Sequence, residues 1–166
     1  MRVLVACFGN LLRGDDGAGP VLAGQLRDQH PPPGVEVLEI GIGGLHLVHE
    51  LLTPADGLIV VDAIDLGRPP GSVIVMHPEI PDARTWSAAE LQDRLVDAHY
   101  ATPERALLLA RGLGVLPERI TLVGIQVGLT EYWGEHLSGP AVAALPAAAA
   151  QVRRIVREFG FSWPDS

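Results

Sequence analysis

The chain has 166 residues, 48% of them hydrophobic and 19% charged, and a formal net charge of −8. That length fits one domain of ordinary size (1–166), and the balance of apolar to charged residues excludes intrinsic disorder. All 12 basic residues are arginine, which excludes Schiff-base and Walker-lysine chemistry, and an acidic chain with no basic cluster argues against nucleic acid as a partner.

No apolar run approaches the ~20 residues of a membrane-spanning helix. The N-terminal run MRVLVACF is cut short by Gly9-Asn10 and is too brief for a signal peptide. The expectation is a soluble, cytoplasmic protein with no membrane association, monomeric for want of an obvious leftover apolar stripe. Cys7 is the single cysteine, so an intrachain disulfide and a CxxC metal site are both excluded.

In chain order, the β-branched run 2–8 predicts a buried strand that also buries Cys7. After an irregular stretch through Gly14, Val21, Leu22 and Leu26 have helical spacing, and His30 and the prolines at 31–33 end that helix near Gln29. Residues 35–40 alternate apolar side chains with Glu36 and Glu39 and predict a second strand. The turn at 41–44 leads to a short helix over 45–52. GLIVVDAI at 57–64 predicts the strongest strand, and 72–77 a fourth after the Gly/Pro turn at 67–71. Ser87 and Glu90 have capping-box spacing for a helix over 87–98. Thr102-Pro103 predicts the N-cap of a further helix, closed by Gly112 and Gly114. Strand 119–126, a loop over 127–139 carrying Tyr132 and Trp133, and an alanine-rich helix over 140–159 complete the chain. Strands alternating with helices predict an α/β fold with a mainly parallel sheet covered on both faces.

Ligands in open α/β sheets bind at the carboxyl ends of the strands. Three groups able to bind a metal fall there: Asp16 after the first strand, Asp62 at the end of the third, and His99 after the fourth. A carboxylate in IVVDAI carries a desolvation cost that calls for a partner, either a functional cation or an arginine such as Arg13. Either Asp15 or Asp16 fits a helix N-cap, but one cap does not explain two aspartates. The glycines at 9, 14, 17 and 19 lack the G-x-G-x-x-G order of a dinucleotide loop. His46 and His49, three apart on a short helix, are a second-ranked ligand pair. No serine lies in a G-x-S-x-G elbow and Cys7 is mid-strand, so if the protein is a hydrolase, a carboxylate–histidine set working with a metal is the remaining route. Two oxygen ligands and one imidazole suit zinc or nickel better than calcium.

FGNLLRGDDGAGP at 8–20 resembles the N-terminal signature of the hydrogenase maturation proteases, and the likeness continues at LIVVDAID (58–65), DAHYATP (97–103) and LVGIQ (122–126). The resemblance spans nearly the whole chain. It implies a three-layer α/β/α sandwich around a five-stranded sheet. It also implies an endopeptidase, of aspartic or metal-assisted type, that removes the C-terminal extension of a nickel–iron hydrogenase large-subunit precursor after nickel insertion. Asp16, Asp62 and His99 are then both the metal ligands and the catalytic residues, with the nickel supplied by the substrate and zinc or another divalent ion able to substitute. Asp15 becomes a neighbouring cap or supporting group. Glu39 stands where the family often has an aspartate.

Two other functions use the same residues. One is a non-catalytic maturation factor that binds the nickel-loaded precursor. The other is a metal-dependent hydrolase with a different substrate.

Overall fold

The computed structural model describes residues 1–82, 85–87, 102–128, 134 and 136–164. Five strands, β1 (Val3–Phe8), β2 (Val35–Gly41), β3 (Gly57–Ile64), β4 (Val73–Met76) and β5 (Ile120–Gln126), form one sheet in the order β2-β1-β3-β5-β4. β2, β1, β3 and β5 are parallel, and β4 is an antiparallel edge on β5. Among the described residues, four helices accompany them: α1 (Ala18–Asp28), α2 (Leu45–Leu51), α3 (Pro103–Gly112) and α4 (Gly139–Glu158).

Period-two alternation divides the core in two. Val3, Val5 and Cys7 of β1, with Ile59 and Val61 of β3, pack under α1 and α4. Leu4, Ala6 and Phe8, with Leu58 and Val60, pack under α2 and α3. A strand buried on both faces reads as a continuous apolar run, and all six residues of β1 are buried. Leu58, Ile59, Val60 and Val61 are wholly buried, each contributing about 1.5–3 kcal/mol. That packing fixes the position of Asp62, the next residue of β3.

The sequence expectations hold for the fold class and for all five strands, with β4 trimmed to four residues. α1 begins three residues before its first bulky apolar residue, Val21. Ala18, Gly19 and Pro20 are buried there because small residues let the helix press on β1, and a Cβ at Gly19 would lie 1.9 Å from the Phe8 carbonyl oxygen. Pro146 sits inside α4. The carbonyl that its missing N–H leaves unpaired is that of exposed Val142 on the solvent side. Residues 88–98 of the predicted helix over 87–98, and Tyr132 and Trp133 of the predicted loop over 127–139, lie outside the described residues. Among the described residues, no helix is long and apolar enough to cross a membrane.

Candidate active site

The carboxyl ends of β1 and β3 lie side by side, Cys7 opposite Val61. β1 leads through Gly9-Asn10 into a single 3-10 turn, Gly14–Gly17, that packs against β3. The crossing is tight. Gly9 has φ +131°, and a Cβ on it would lie 1.9 Å from the Asp16 carbonyl oxygen. Only glycine meets both demands. Gly9 and Gly19 of the first motif therefore serve close chain approach.

Asn10 shapes the start of the turn. Its side-chain Oδ1 accepts from the Leu12 N–H at 2.9 Å, and its backbone N–H donates to Asp16 Oδ2 at 3.1 Å. The half-buried Asp16 carboxyl is held above the usual carboxylate range by desolvation, opposed by the charge of Arg13 and the Asn10 N–H. Asp62 is more strongly affected. Burial and then the neighbouring charge of Asp16 push it up to about 7, while the Ala63 N–H pulls the other way. The two carboxylates feel each other across the strand ends, and the cost of charging Asp62 is not met by Arg13, whose charge acts on Asp16. A pair in this state has spare affinity for a proton or a cation.

Asp15 has a different task. It is 1% exposed and accepts from the Gly128 N–H at 2.8 Å, the Ser138 N–H at 2.7 Å and the Ser138 hydroxyl at 2.9 Å. Neither aspartate caps α1, whose N-cap is Gly17, a residue with no side chain to accept from the first turn. Instead Asp15 ties the 3-10 turn to the segment after β5 and to the N-cap of α4, where Ser138 Oγ accepts from the Ala141 N–H. The adjacent aspartates thus divide the work, Asp15 fastening the loop and Asp16 facing Asp62.

Gln126, a residue the sequence reading gave no role, organises the loop after β3. Its Nε2 donates to Asp65 Oδ1 at 3.0 Å and to the Val127 carbonyl at 3.1 Å. Its Oε1 accepts from the N–H groups of Leu66 and Arg68. The bonds from Gln126 and the Gly67 N–H hold the exposed Asp65 carboxyl below its ordinary value. A lone glutamine ending an otherwise apolar strand was the available signal, since a buried amide must find partners.

Of the predicted ligands, Asp16 and Asp62 come together, and His99 lies outside the described residues. His46 and His49 are exposed on α2 beside Glu50, at 3.6 and 4.0 Å. Among the described residues, no three histidine, cysteine or acidic side chains are grouped to hold a metal. Glu39 points to the surface and pairs with Arg27 at 3.2 Å. Cys7 is wholly buried, and that burial pushes its thiol up to about 12.

Fold and site together define an α/β protein with an acidic pair at the strand ends of a five-stranded sheet. The family model for hydrogenase maturation protease matches residues 20–155. The hydrogenase expression/formation protein HupD of Rhizobium leguminosarum bv. viciae is 33% identical over 161 residues, covering 96% of this chain and 76% of that protein. HupD of Rhodobacter capsulatus is 31% identical over 160 residues, covering 96% and 73%. Among solved structures, the hydrogenase maturating endopeptidase HybD from E. coli superposes with a TM-score of 0.76 at 29% identity, covering 96% of this chain and 94% of that one. A hydrogenase 2 maturation peptidase from Thaumarchaeota archaeon SCGC_AB-539-E09 superposes with a TM-score of 0.68 at 30% identity, covering 94% and 98%. The chain belongs to the hydrogenase maturation protease family and is a hydrolase of the endopeptidase kind.

Proposed function

We propose that this protein makes a single cut in the large-subunit precursor of a nickel–iron hydrogenase, releasing its C-terminal extension once nickel has been inserted. The observation that carries the reading is the Asp16–Asp62 pair, two carboxylates at neighbouring strand ends whose charging is opposed by burial and by each other. In this reading the nickel belongs to the substrate, held by the precursor's own thiolates. Asp16 and Asp62 offer it oxygen donors and His99 an imidazole nitrogen, a mixed set that suits nickel or zinc. Bringing a dication to the pair offsets the repulsion between the carboxylates and drives the Asp62 proton off. Binding therefore depends on whether the precursor carries its metal, which makes the cut a check on metal insertion.

The chemistry is amide hydrolysis. Water adds its oxygen to the scissile carbonyl carbon, which the neighbouring cation polarises, and the C–N bond breaks. Asp16 or His99 takes the proton of the attacking water and returns one to the departing amine.

The test is the intact mass of a nickel-loaded precursor before and after incubation with the protein, beside a metal-free precursor. Loss of a C-terminal peptide from the nickel-loaded form alone is the expected result. Unchanged mass with binding retained would replace the reading with a non-catalytic maturation factor. Absence of both cutting and binding would remove the hydrogenase precursor as substrate.

A further inference from the structure

Five large apolar side chains are exposed in the segments that follow β1, β2 and β3. Leu11 and Leu12 follow β1, Ile42 and Leu45 follow β2, and Leu66 follows β3; they are between 43% and 72% exposed. These three strands are adjacent and parallel, so their following loops leave the same end of the sheet, the end that carries Asp16 and Asp62. Exposed apolar side chains gathered at one place mark a binding surface.

The loops are built to hold these side chains outward. Leu12 is pinned on both sides of its peptide unit, its N–H to Asn10 Oδ1 and its carbonyl to the Gly134 N–H at 3.0 Å. The Leu66 N–H is held by buried Gln126 at 2.9 Å. The Gly9 N–H reaches the Gly41 carbonyl at 3.2 Å and locks the exit of β1 to that of β2. Preformed loops that present apolar side chains lose little entropy when a partner covers them.

Resting on the function proposed above, we infer that Leu11, Leu12, Ile42, Leu45 and Leu66 form the docking rim for the substrate chain, a polypeptide segment that places apolar side chains on both sides of a cationic, metal-bearing centre. The centre of the surface is a carboxylate pair in a chain of net charge −8, which calls for a cation, and its margin is apolar, which calls for apolar neighbours of that cation. Covering the rim also expels water from the carboxylates and strengthens their attraction for the cation.

The opposite end of the sheet supplies the control. Leu52 follows α2 and Leu113 follows α3; each leads toward the start of a strand, and they are 59% and 56% exposed. Residue for residue they are as exposed as the rim, and they lead to the end of the sheet opposite the carboxylates.

The experiment measures binding and cleavage of the nickel-loaded precursor by wild type, Leu11→Ser, Leu12→Ser, Leu66→Ser, their triple combination, and the controls Leu52→Ser and Leu113→Ser, with urea midpoints confirming the fold of each. Each single rim substitution is expected to raise KM, or Kd where only binding is seen, about fivefold, and the triple about 100-fold. The kcat is expected to stay within about twofold, because the rim touches substrate before and during the cut alike. The controls are expected to match wild type. Wild-type cutting or binding with an unchanged KM or Kd in the triple variant would overturn the rim and leave the function standing. A wild-type protein that neither cuts nor binds this precursor would overturn the function, and the rim with it.

Discussion

Asp15 and Ser138 are 123 residues apart in sequence and joined by two hydrogen bonds, one from the Ser138 N–H at 2.7 Å and one from its hydroxyl at 2.9 Å. Because the Ser138 hydroxyl also caps α4, the loop that carries Asp16 is fastened to the N-terminus of the longest described helix. Asp15→Ala leaves the Gly128 and Ser138 N–H groups without their buried acceptor. It is expected to destabilise the protein by about 3 kcal/mol, and Ser138→Ala by about 1 kcal/mol. A double-mutant cycle followed by urea unfolding checks the link, with a coupling of at least about 0.5 kcal/mol expected. Strict additivity would show that the two residues act separately.

The pH dependence of the metal-free protein follows from Asp62. Its pKa is pushed up to about 7 in the folded state against an ordinary 3.8. Between those values the folded state keeps a proton that the unfolded chain has released, so the contribution to stability is full below pH 3.8 and falls as pH rises through 7. Asp62→Asn removes this dependence. The variant is expected to gain on wild type by about 2–4 kcal/mol between pH 4 and pH 8, in the difference between the two unfolding curves. A constant difference across that range would mean that Asp62 titrates normally. Asp16 shifts in the same direction, whereas Glu36 and Asp65 shift in the opposite one, which is why the difference is the useful quantity.

The fold was readable in the sequence because β1 and β3 are buried on both faces and give unbroken apolar runs, and because Pro and Gly punctuate the elements between them. Asp62 was readable for the same reason, as a charge where burial forbids an unpartnered one. The division of labour between Asp15 and Asp16 was not, since neighbouring aspartates look alike until Gly128 and Ser138 arrive from the far end of the chain. Long-range pairing leaves no local pattern. Gln126 did leave a local mark, a lone amide closing β5, but its partners Asp65, Leu66 and Arg68 sit on the loop after β3.

Two glycines separate conformational demand from composition. At Gly9 an alanine would meet φ +131° and a carbonyl oxygen 1.9 Å away, whereas at Gly24, inside α1, it would meet nothing within 4 Å. Gly9→Ala is expected to cost at least about 3 kcal/mol and to displace Asp16. Gly24→Ala is expected to stabilise by about 0.5–1 kcal/mol. Urea midpoints of the two variants check both signs, and equal midpoints would remove the close approach of Gly9 to Asp16 from the account.

Cys7 is expected to be inert in the native protein. Its thiol is wholly buried and pushed up to about 12, so at pH 8 neither access nor thiolate is available. A chromogenic disulfide reagent is expected to modify it only in denaturant, at one thiol per chain, and rapid labelling of the folded protein would show that the first strand opens.

The acidic pair is separable from the fold in a way that tests its role. Asp62 lies beyond the part of β3 that pairs with β1, and its charge costs the folded state rather than supporting it. Asp62→Ala is therefore expected to unfold cooperatively, with stability at pH 8 equal to or above that of wild type. If the pair receives the substrate's metal, the same variant loses nickel affinity in titration calorimetry and lowers precursor cleavage by at least about 100-fold. His46→Ala and His49→Ala, on exposed α2 positions beside Glu50, are expected to keep both. A stable Asp62→Ala protein with wild-type nickel affinity and cleavage would show that the carboxylate pair does not contact the metal. Loss of nickel binding in the histidine variants instead would place the site on α2. The informative combination is a variant that gains stability and loses function together, because a group that only held the fold would lose both.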